Sequence, residues 1–336
     1  MHNEELLFLK KTKVNVLNCI STIEFAFLSL YIRLVHTCHY TKDQREIQWG
    51  YELMKKKHTF FLPKNPLVLC HGLLGFNKIE IGRSKYFNLS PFIVFHYWRG
   101  IKEILEANGI EVFITSVPMM GTVEERSYIL HKQIEERYKG KKINLIAHSM
   151  GGLDCRYLIS KINPKEYKIK SLTTIATPHR GTCFADYCLE SVNALNISKM
   201  HTLFTLMGLR TRVIEELTTT YMEKTFNTSV IDDPDVMYFS FGAFFVPSFL
   251  NIFRISWSQI VINKINKIEG MNDGLVSVKS SIWGNYKGTL KNASHFNVIN
   301  WVGPYKYLKE LYDENSTFNA LSFYSSLANM IAMENL

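Results

Sequence analysis

Apolar residues fall in two rhythms along this chain. Short, nearly unbroken runs occupy residues 65–70, 111–117, 143–147, 167–176 and 236–241. Between the earlier runs lie longer stretches, 97–108, 123–138 and 153–159, in which apolar positions suit a helix. Short runs of this kind predict strands buried on both faces. The stretch 123–138 reads as an amphipathic helix packed toward the sheet by one side. Gly109 provides a natural stop for the helix before it. The order strand, helix, strand, helix predicts an α/β fold with a mostly parallel sheet and right-handed crossovers. Residues that do chemistry are then expected at the carboxyl ends of the strands.

Two segments extend this pattern. Residues 183–230 hold helix-compatible stretches at 185–195 and 201–221, rich in apolar residues and poor in charge. We expect a helical lid or cap there, with ordinary packed helix as the plainer alternative. Residues 243–257 carry Phe244, Phe245, Phe249, Phe253 and Trp257. Such a stripe reads first as core, and second as the lining of an acyl-chain pocket or a membrane-facing surface. The stretch from Tyr305 to Leu336 reads as helix.

Bulk properties narrow the class. The chain has 336 residues, 46% hydrophobic and 13% aromatic, enough for a large core and too much for a disordered chain. Its net charge of +9 favours anionic surfaces, but the basic residues are scattered and form no nucleic-acid motif. We expect no nucleic-acid partner. The six cysteines show no paired C-x-x-C spacing for zinc. Cys70 and Cys155 sit in apolar runs and read as buried thiols, which points weakly to a reducing or non-secretory compartment.

Candidate chemistry gathers at three places. The run 143–147 ends in Ala147-His148-Ser149-Met150-Gly151-Gly152, followed by a helix-compatible stretch. A serine between small residues at a strand-to-helix turn is a nucleophile elbow, with Ala147 in the first small position. The run 65–70 leads into His71-Gly72-Leu73-Leu74-Gly75, a glycine-spaced loop of the kind that supplies an oxyanion N–H. Further on come Asn272-Asp273-Gly274 and then His295, 22 residues after Asp273. Serine, then acid, then histidine is the chain order of the α/β-hydrolase triad. Asp154 is read as capping or pairing locally with Arg156 or Arg180. Asp232, Asp233 and Asp235 precede a strand, at its wrong end for catalysis. His71 and His148 are read as structural.

These stretches resemble the bacterial true lipases of the Pseudomonas, Burkholderia and Proteus type and, more closely, the mitochondrial triacylglycerol lipases of budding yeasts. The resemblance is carried by residues 66–76 (PLVLCHGLLGF), 123–126 (VEER), 144–159 (NLIAHSMGGLDCRYLI), 171–182 (SLTTIATPHRGT), 185–187 (ADY), 272–278 (NDGLVSV) and 283–301. It implies an α/β-hydrolase fold with a helical lid insertion and hydrolysis of acylglycerol esters. Ser149 is implied as nucleophile, His295 as base and Asp273 as its orienting acid. The backbone N–H groups of Leu73 and Met150 are implied as the oxyanion hole. A phospholipase or acyltransferase on the same triad, or an inactive hydrolase-fold membrane scaffold, are the rival expectations. The bacterial relatives also hold a calcium near the catalytic histidine, with an aspartate two residues after it. Here that position is the neutral Asn297, and Ser294 replaces the acidic residue that usually precedes the histidine. A hard dication wants carboxylate oxygens, so we expect no cofactor and no calcium, with Asn297 holding the histidine loop instead.

The domain plan is then an N-terminal segment at 1–58, a catalytic domain at 59–312 with 183–230 as its lid, and a C-terminal helical tail at 313–336. Within the first, residues 14–35 are largely apolar and about long enough to span a bilayer, with Glu24 near the centre. Membrane association is the expectation for it; a targeting segment or an extra packed helix are the alternatives. Expected partners are a lipid ester substrate and a membrane or lipid-droplet surface. Mitochondrial residence is implied by the yeast resemblance alone.

Overall fold

The computed structural model describes residues 61–81, 93–194, 211–245, 257–301 and 318–336. The segment 14–35, residues 195–210 of the expected lid and residues 246–256 of the aromatic stripe lie outside these.

Six strands form one parallel sheet in the order β4-β1-β5-β6-β7-β8. They are β1 (Leu67–Cys70), β4 (Val112–Ile114), β5 (Lys142–His148), β6 (Lys168–Ile175), β7 (Met237–Phe244) and β8 (Asn285–Lys291). A separate antiparallel pair, β2 (Lys78–Ile81) and β3 (Ile93–His96), lies between β1 and β4 in sequence. Among the described residues the helices of ten residues or more are α2 (Val123–Tyr138), α4 (Cys183–Ala194), α8 (Trp257–Ile268) and α10 (Ala320–Met333). Shorter ones are α1 (Ile101–Ala107), α3 (Gly151–Tyr157), α5 (Thr211–Glu215), α6 (Thr219–Tyr221), α7 (Asn227–Ser229) and α9 (Val278–Ser281).

Strand β1 shows why the runs read as unbroken. Leu67 and Leu69 join one core layer, with α1 and α10, while Val68 and Cys70 join the other, with α2 and α3. A strand covered on both faces has no solvent side on which to place polar residues. Helix α2 turns Val123, Leu130, Ile134 and Tyr138 inward, and Thr122 and Glu125 cap its start reciprocally. Each fully buried aliphatic side chain contributes about 1.5–3 kcal/mol of transfer free energy.

Three elements differ from the expectation. The edge strand β8 (NYKGTLK) has no apolar run, because it has one strand neighbour and is buried nowhere along its length. The helix expected over 201–221 is, in its described part, two short helices interrupted before Thr218, whose hydroxyl caps α6. The expected tail is part of the core. Leu321, Tyr324, Leu327 and Ile331 of α10 pack with Trp98, Ile101 and Ile104. The start of the domain is tied to this end: Lys64 N–H donates to the carbonyl of Leu336 at 2.6 Å, and Phe61 N–H to Asn329 Oδ1 at 2.9 Å. Among the described residues no helix is long and apolar enough to cross a membrane.

Candidate active site

The turn after β5 holds Ser149 in a left-handed backbone conformation, φ 56°. A serine pays for that conformation in strain and holds it only when its surroundings over-determine it. They do. Ser149 N–H donates to the carbonyl of Ile175 at the end of β6, 3.0 Å away. Its own carbonyl accepts from Thr177 Oγ1 at 2.7 Å and from Gly152 N–H at 3.0 Å. The small residues have a visible cause. A Cβ on Gly151 would stand 2.7 Å from the carbonyl oxygens of both Cys70 and His71, so α3 starts against the end of β1. A Cβ on Gly72 would stand 2.7 Å from Ser149 Cβ. The glycine loop therefore lies directly against the nucleophile.

Asp273 reaches the site by an indirect route. It follows α8, not β7, yet Phe245 N–H at the end of β7 donates to the carbonyl of Asn272 at 3.3 Å. This places the acid turn at the carboxyl end of β7. The Asp273 side chain is buried, and its Oδ1 accepts from the N–H groups of Leu275 at 3.0 Å and Val276 at 2.8 Å. Its Oδ2 accepts from His295 Nδ1 at 2.7 Å. His295 follows β8, and its N–H donates to the Asp273 carbonyl at 2.9 Å. Since Nδ1 donates to the carboxylate, Nε2 is the free lone pair, and it lies 2.9 Å from Ser149 Oγ. Three side chains from three loops thus converge in one hydrogen-bonded line.

The other expected residues surround that line. Leu73 follows Gly72, and Met150, fully buried, opens α3. Among the described residues neither backbone N–H donates to a protein acceptor. His71 is structural, as expected: Nε2 accepts from Val117 N–H at 3.1 Å and Nδ1 donates to the Gly72 carbonyl at 2.9 Å. Burial, with Arg126 nearby, pushes its imidazole down to about 4, so it stays neutral. His148 packs beneath the elbow with its ring centroid 4.5 Å from that of His295. Burial first, and the neighbouring His295 second, hold His148 well below the ordinary histidine range.

Asp154 requires correction. It pairs with Arg126 on α2, Nε to Oδ2 at 2.8 Å and Nη2 to Oδ2 at 2.7 Å, and not with Arg156 or Arg180. Arg126 also donates to the carbonyls of His71 and Pro118, each at 2.8 Å. A buried pair of this kind survives desolvation only when the remaining donors are satisfied. Arg156 instead lies over Trp283 at 3.6 Å and donates to Asn227 Oδ1 at 2.9 Å. Arg126 was visible in sequence as a charge three positions from Val123, on the inward face of α2.

The alpha/beta hydrolase fold family model matches residues 65–244. Triacylglycerol lipase 2 of Saccharomyces cerevisiae is 40% identical over 279 residues, 71% of this chain and 81% of that protein. The chain belongs to the triacylglycerol lipases of the α/β-hydrolase family. The lipase is also similar to a triacylglycerol lipase of Pseudarthrobacter phenanthrenivorans, 32% identical over 38% of each chain. In fold it resembles the Staphylococcus hyicus lipase, with a TM-score of 0.56 at 18% identity, covering 81% of this chain and 97% of that one.

Beside the histidine of this lipase, the loop is held by its own side chains. Asn297 Oδ1 accepts from Ser294 Oγ at 2.7 Å and Ser294 N–H at 3.3 Å, and Nδ2 donates to the Trp301 carbonyl at 3.1 Å. The amide is neutral, and its oxygen is occupied within the loop. Among the described residues no group of three or more His, Cys, Asp or Glu could hold a metal ion.

Proposed function

We propose that this lipase hydrolyses acylglycerol esters by covalent catalysis at Ser149. The observation that carries the assignment is the imidazole of His295, hydrogen-bonded through Nδ1 to Asp273 and through Nε2 to Ser149 Oγ. In the first half-reaction, Ser149 Oγ attacks the ester carbonyl while His295 Nε2 takes its proton. The tetrahedral oxyanion is bound by the N–H groups of Leu73 and Met150. The ester C–O bond then breaks, and His295 returns the proton to the departing alcohol. In the second half-reaction, His295 deprotonates a water that attacks the acyl-enzyme, and the fatty acid leaves as Ser149 regains its proton. Asp273 keeps the histidine in the Nδ1–H tautomer and stabilises the imidazolium. Losing one oxyanion donor in such a site costs about 10²–10³ in rate.

The same proposal treats the reaction as metal-independent, since Asn297 offers no carboxylate oxygen. It places the lipase at a lipid surface in mitochondria, a reading supported by the yeast likeness noted in the sequence and tested by organelle fractionation. The test of mechanism is Ser149→Ala with tributyrin and p-nitrophenyl butyrate, with and without EDTA. Loss of turnover in a folded protein, and parent activity unchanged by chelation, are expected. Turnover of Ser149→Ala at the parent rate would overturn the assignment.

A further inference from the structure

Tyr97 lies in the turn between β3 and α1, away from every motif that identified the site, and is only 6% exposed. Its hydroxyl is nevertheless shared between two of the loops that build the site. Gly72 N–H, in the glycine loop, donates to Tyr97 Oη at 3.0 Å. Tyr97 Oη is also hydrogen-bonded to His148 Nδ1, in the elbow, at 2.7 Å. The Gly72 N–H can only donate, so the phenol oxygen accepts from it, and its own proton goes to His148 Nδ1 when that imidazole carries its hydrogen on Nε2.

The third loop holds the tyrosine from behind. Trp301 Nε1, just past the His295 turn, donates to the carbonyls of His96 at 3.0 Å and Tyr97 at 3.1 Å. Asn300 Nδ2 donates to the Arg99 carbonyl at 3.0 Å. The ring of His148 leans on His295, centroids 4.5 Å apart. Tyr97 therefore meets all three loops: its hydroxyl bonds those after β1 and β5, and the loop after β8 holds its backbone carbonyl.

We propose that Tyr97 is a positioning residue that sets the spacing between the two halves of the oxyanion hole. The inference rests on the assignment of Leu73 and Met150 as oxyanion donors. Gly72 immediately precedes Leu73, and His148 lies two residues before Met150. A rigid phenol between them links the peptide next to the Leu73 donor with the side chain two residues before the Met150 donor. An oxyanion hole works because its donors are already in place when charge develops. The close contacts of Gly72 with Ser149 and of Gly151 with His71 press the two halves together; the Tyr97 hydroxyl is the hydrogen-bonded link that aims them. Simple core packing would also bury a tyrosine here, but packing needs only the ring.

The test is Tyr97→Phe, which keeps the ring and removes the hydroxyl. Rates on p-nitrophenyl butyrate are taken per active site, counted by fluorophosphonate titration, so that misfolded protein does not enter. Displacement of donors by a fraction of an ångström should lower kcat about 10- to 100-fold. KM should stay within about twofold, because the substrate carbonyl gains most from the hole only in the transition state. Affinity for a boronic acid that forms a tetrahedral adduct at the serine should fall by a similar factor. An unchanged kcat with only a lowered Tm would overturn the proposal, leaving Tyr97 as core. A raised KM with unchanged kcat would overturn it too, because the hydroxyl would then be touching substrate. If Tyr97→Phe yields no titratable sites, His148→Leu removes the other end of the chain and is judged by the same two outcomes. Failure of the parent to label at Ser149 would instead refute the catalytic assignment itself.

Discussion

The elbow and the histidine loop meet at one hydrogen bond yet are built by different means. The elbow is fixed by steric closeness. Gly72 and Gly151 stand where any side chain would collide with Ser149 or with the backbone of β1, and Ser149 is locked at φ 56° between β5 and β6. The histidine loop is also packed, with Ala293, Val298 and Ile299 in the core, but packing does not aim its catalytic ring. His295 is aimed by hydrogen bonds: to Asp273 from its ring and its backbone, while Asn297 fastens Ser294 and Trp301 on either side. Packing tolerates almost no change of volume. A hydrogen-bonded loop tolerates change of shape but not loss of a partner. The two sides of the site should therefore fail differently when altered.

The largest effect is expected from Asp273→Asn. It preserves shape but removes the charge that fixes the imidazole, and kcat should fall about 10⁴-fold. Circular dichroism should show the fold intact. A fall of less than tenfold would move the role of orienting acid elsewhere. On the packing side, Gly151→Ala should destabilise the fold by about 3 kcal/mol, the upper end for overpacking against rigid backbone. Urea titration measures it, and activity at saturating folded protein should fall as well because α3 must shift. A neutral result would mean that α3 is free to slide.

The packing side also carries a weak point in acid. His71 is held neutral, with its imidazole at about 4 instead of 6.5. The unfolded chain binds the proton at the higher value, so between pH 6.5 and 4 unfolding takes up a proton. Stability from this group is complete above pH 6.5 and is lost as pH falls. From pH 7 to pH 5 the loss should be about 2 kcal/mol, read from urea midpoints. His71→Asn should flatten that slope. The smallest effect belongs to Asn297→Ala. Losing the Ser294 and Trp301 bonds loosens the histidine, and kcat should drop about tenfold with Tm nearly unchanged, about 1.4 kcal/mol in the transition state. If Tm fell and kcat held, Asn297 would be structural only.

The same contrast explains what the chain revealed before its structure. The elbow was legible because steric demands leave a local signature, a short apolar run and then small residues around Ser149. The strands of the sheet interior were legible for the same reason. The acid and the histidine had no local signature in physical terms; Asp273 sits in an ordinary turn sequence, and chain order and spacing, with the family resemblance, singled out it and His295. The partner of Asp154 was misread because Arg126 comes from a different helix and meets it only after folding. Strand β8 was missed because an edge strand need not be apolar. The last helix was set aside as a tail, although Tyr324 and Ile331 lie in the core beside Trp98. Tyr97 left no trace at all, since a hydroxyl shared between two loops has no spacing in sequence.

The decisive measurement is the site of covalent capture. Active lipase is treated with a fluorophosphonate, digested, and mapped by peptide mass spectrometry, alongside His295→Ala. The adduct should fall on Ser149 in the parent, and its rate of formation should collapse in the histidine variant. An adduct on another residue of fully inhibited protein, or equal labelling rates in both, would contradict a serine activated by His295.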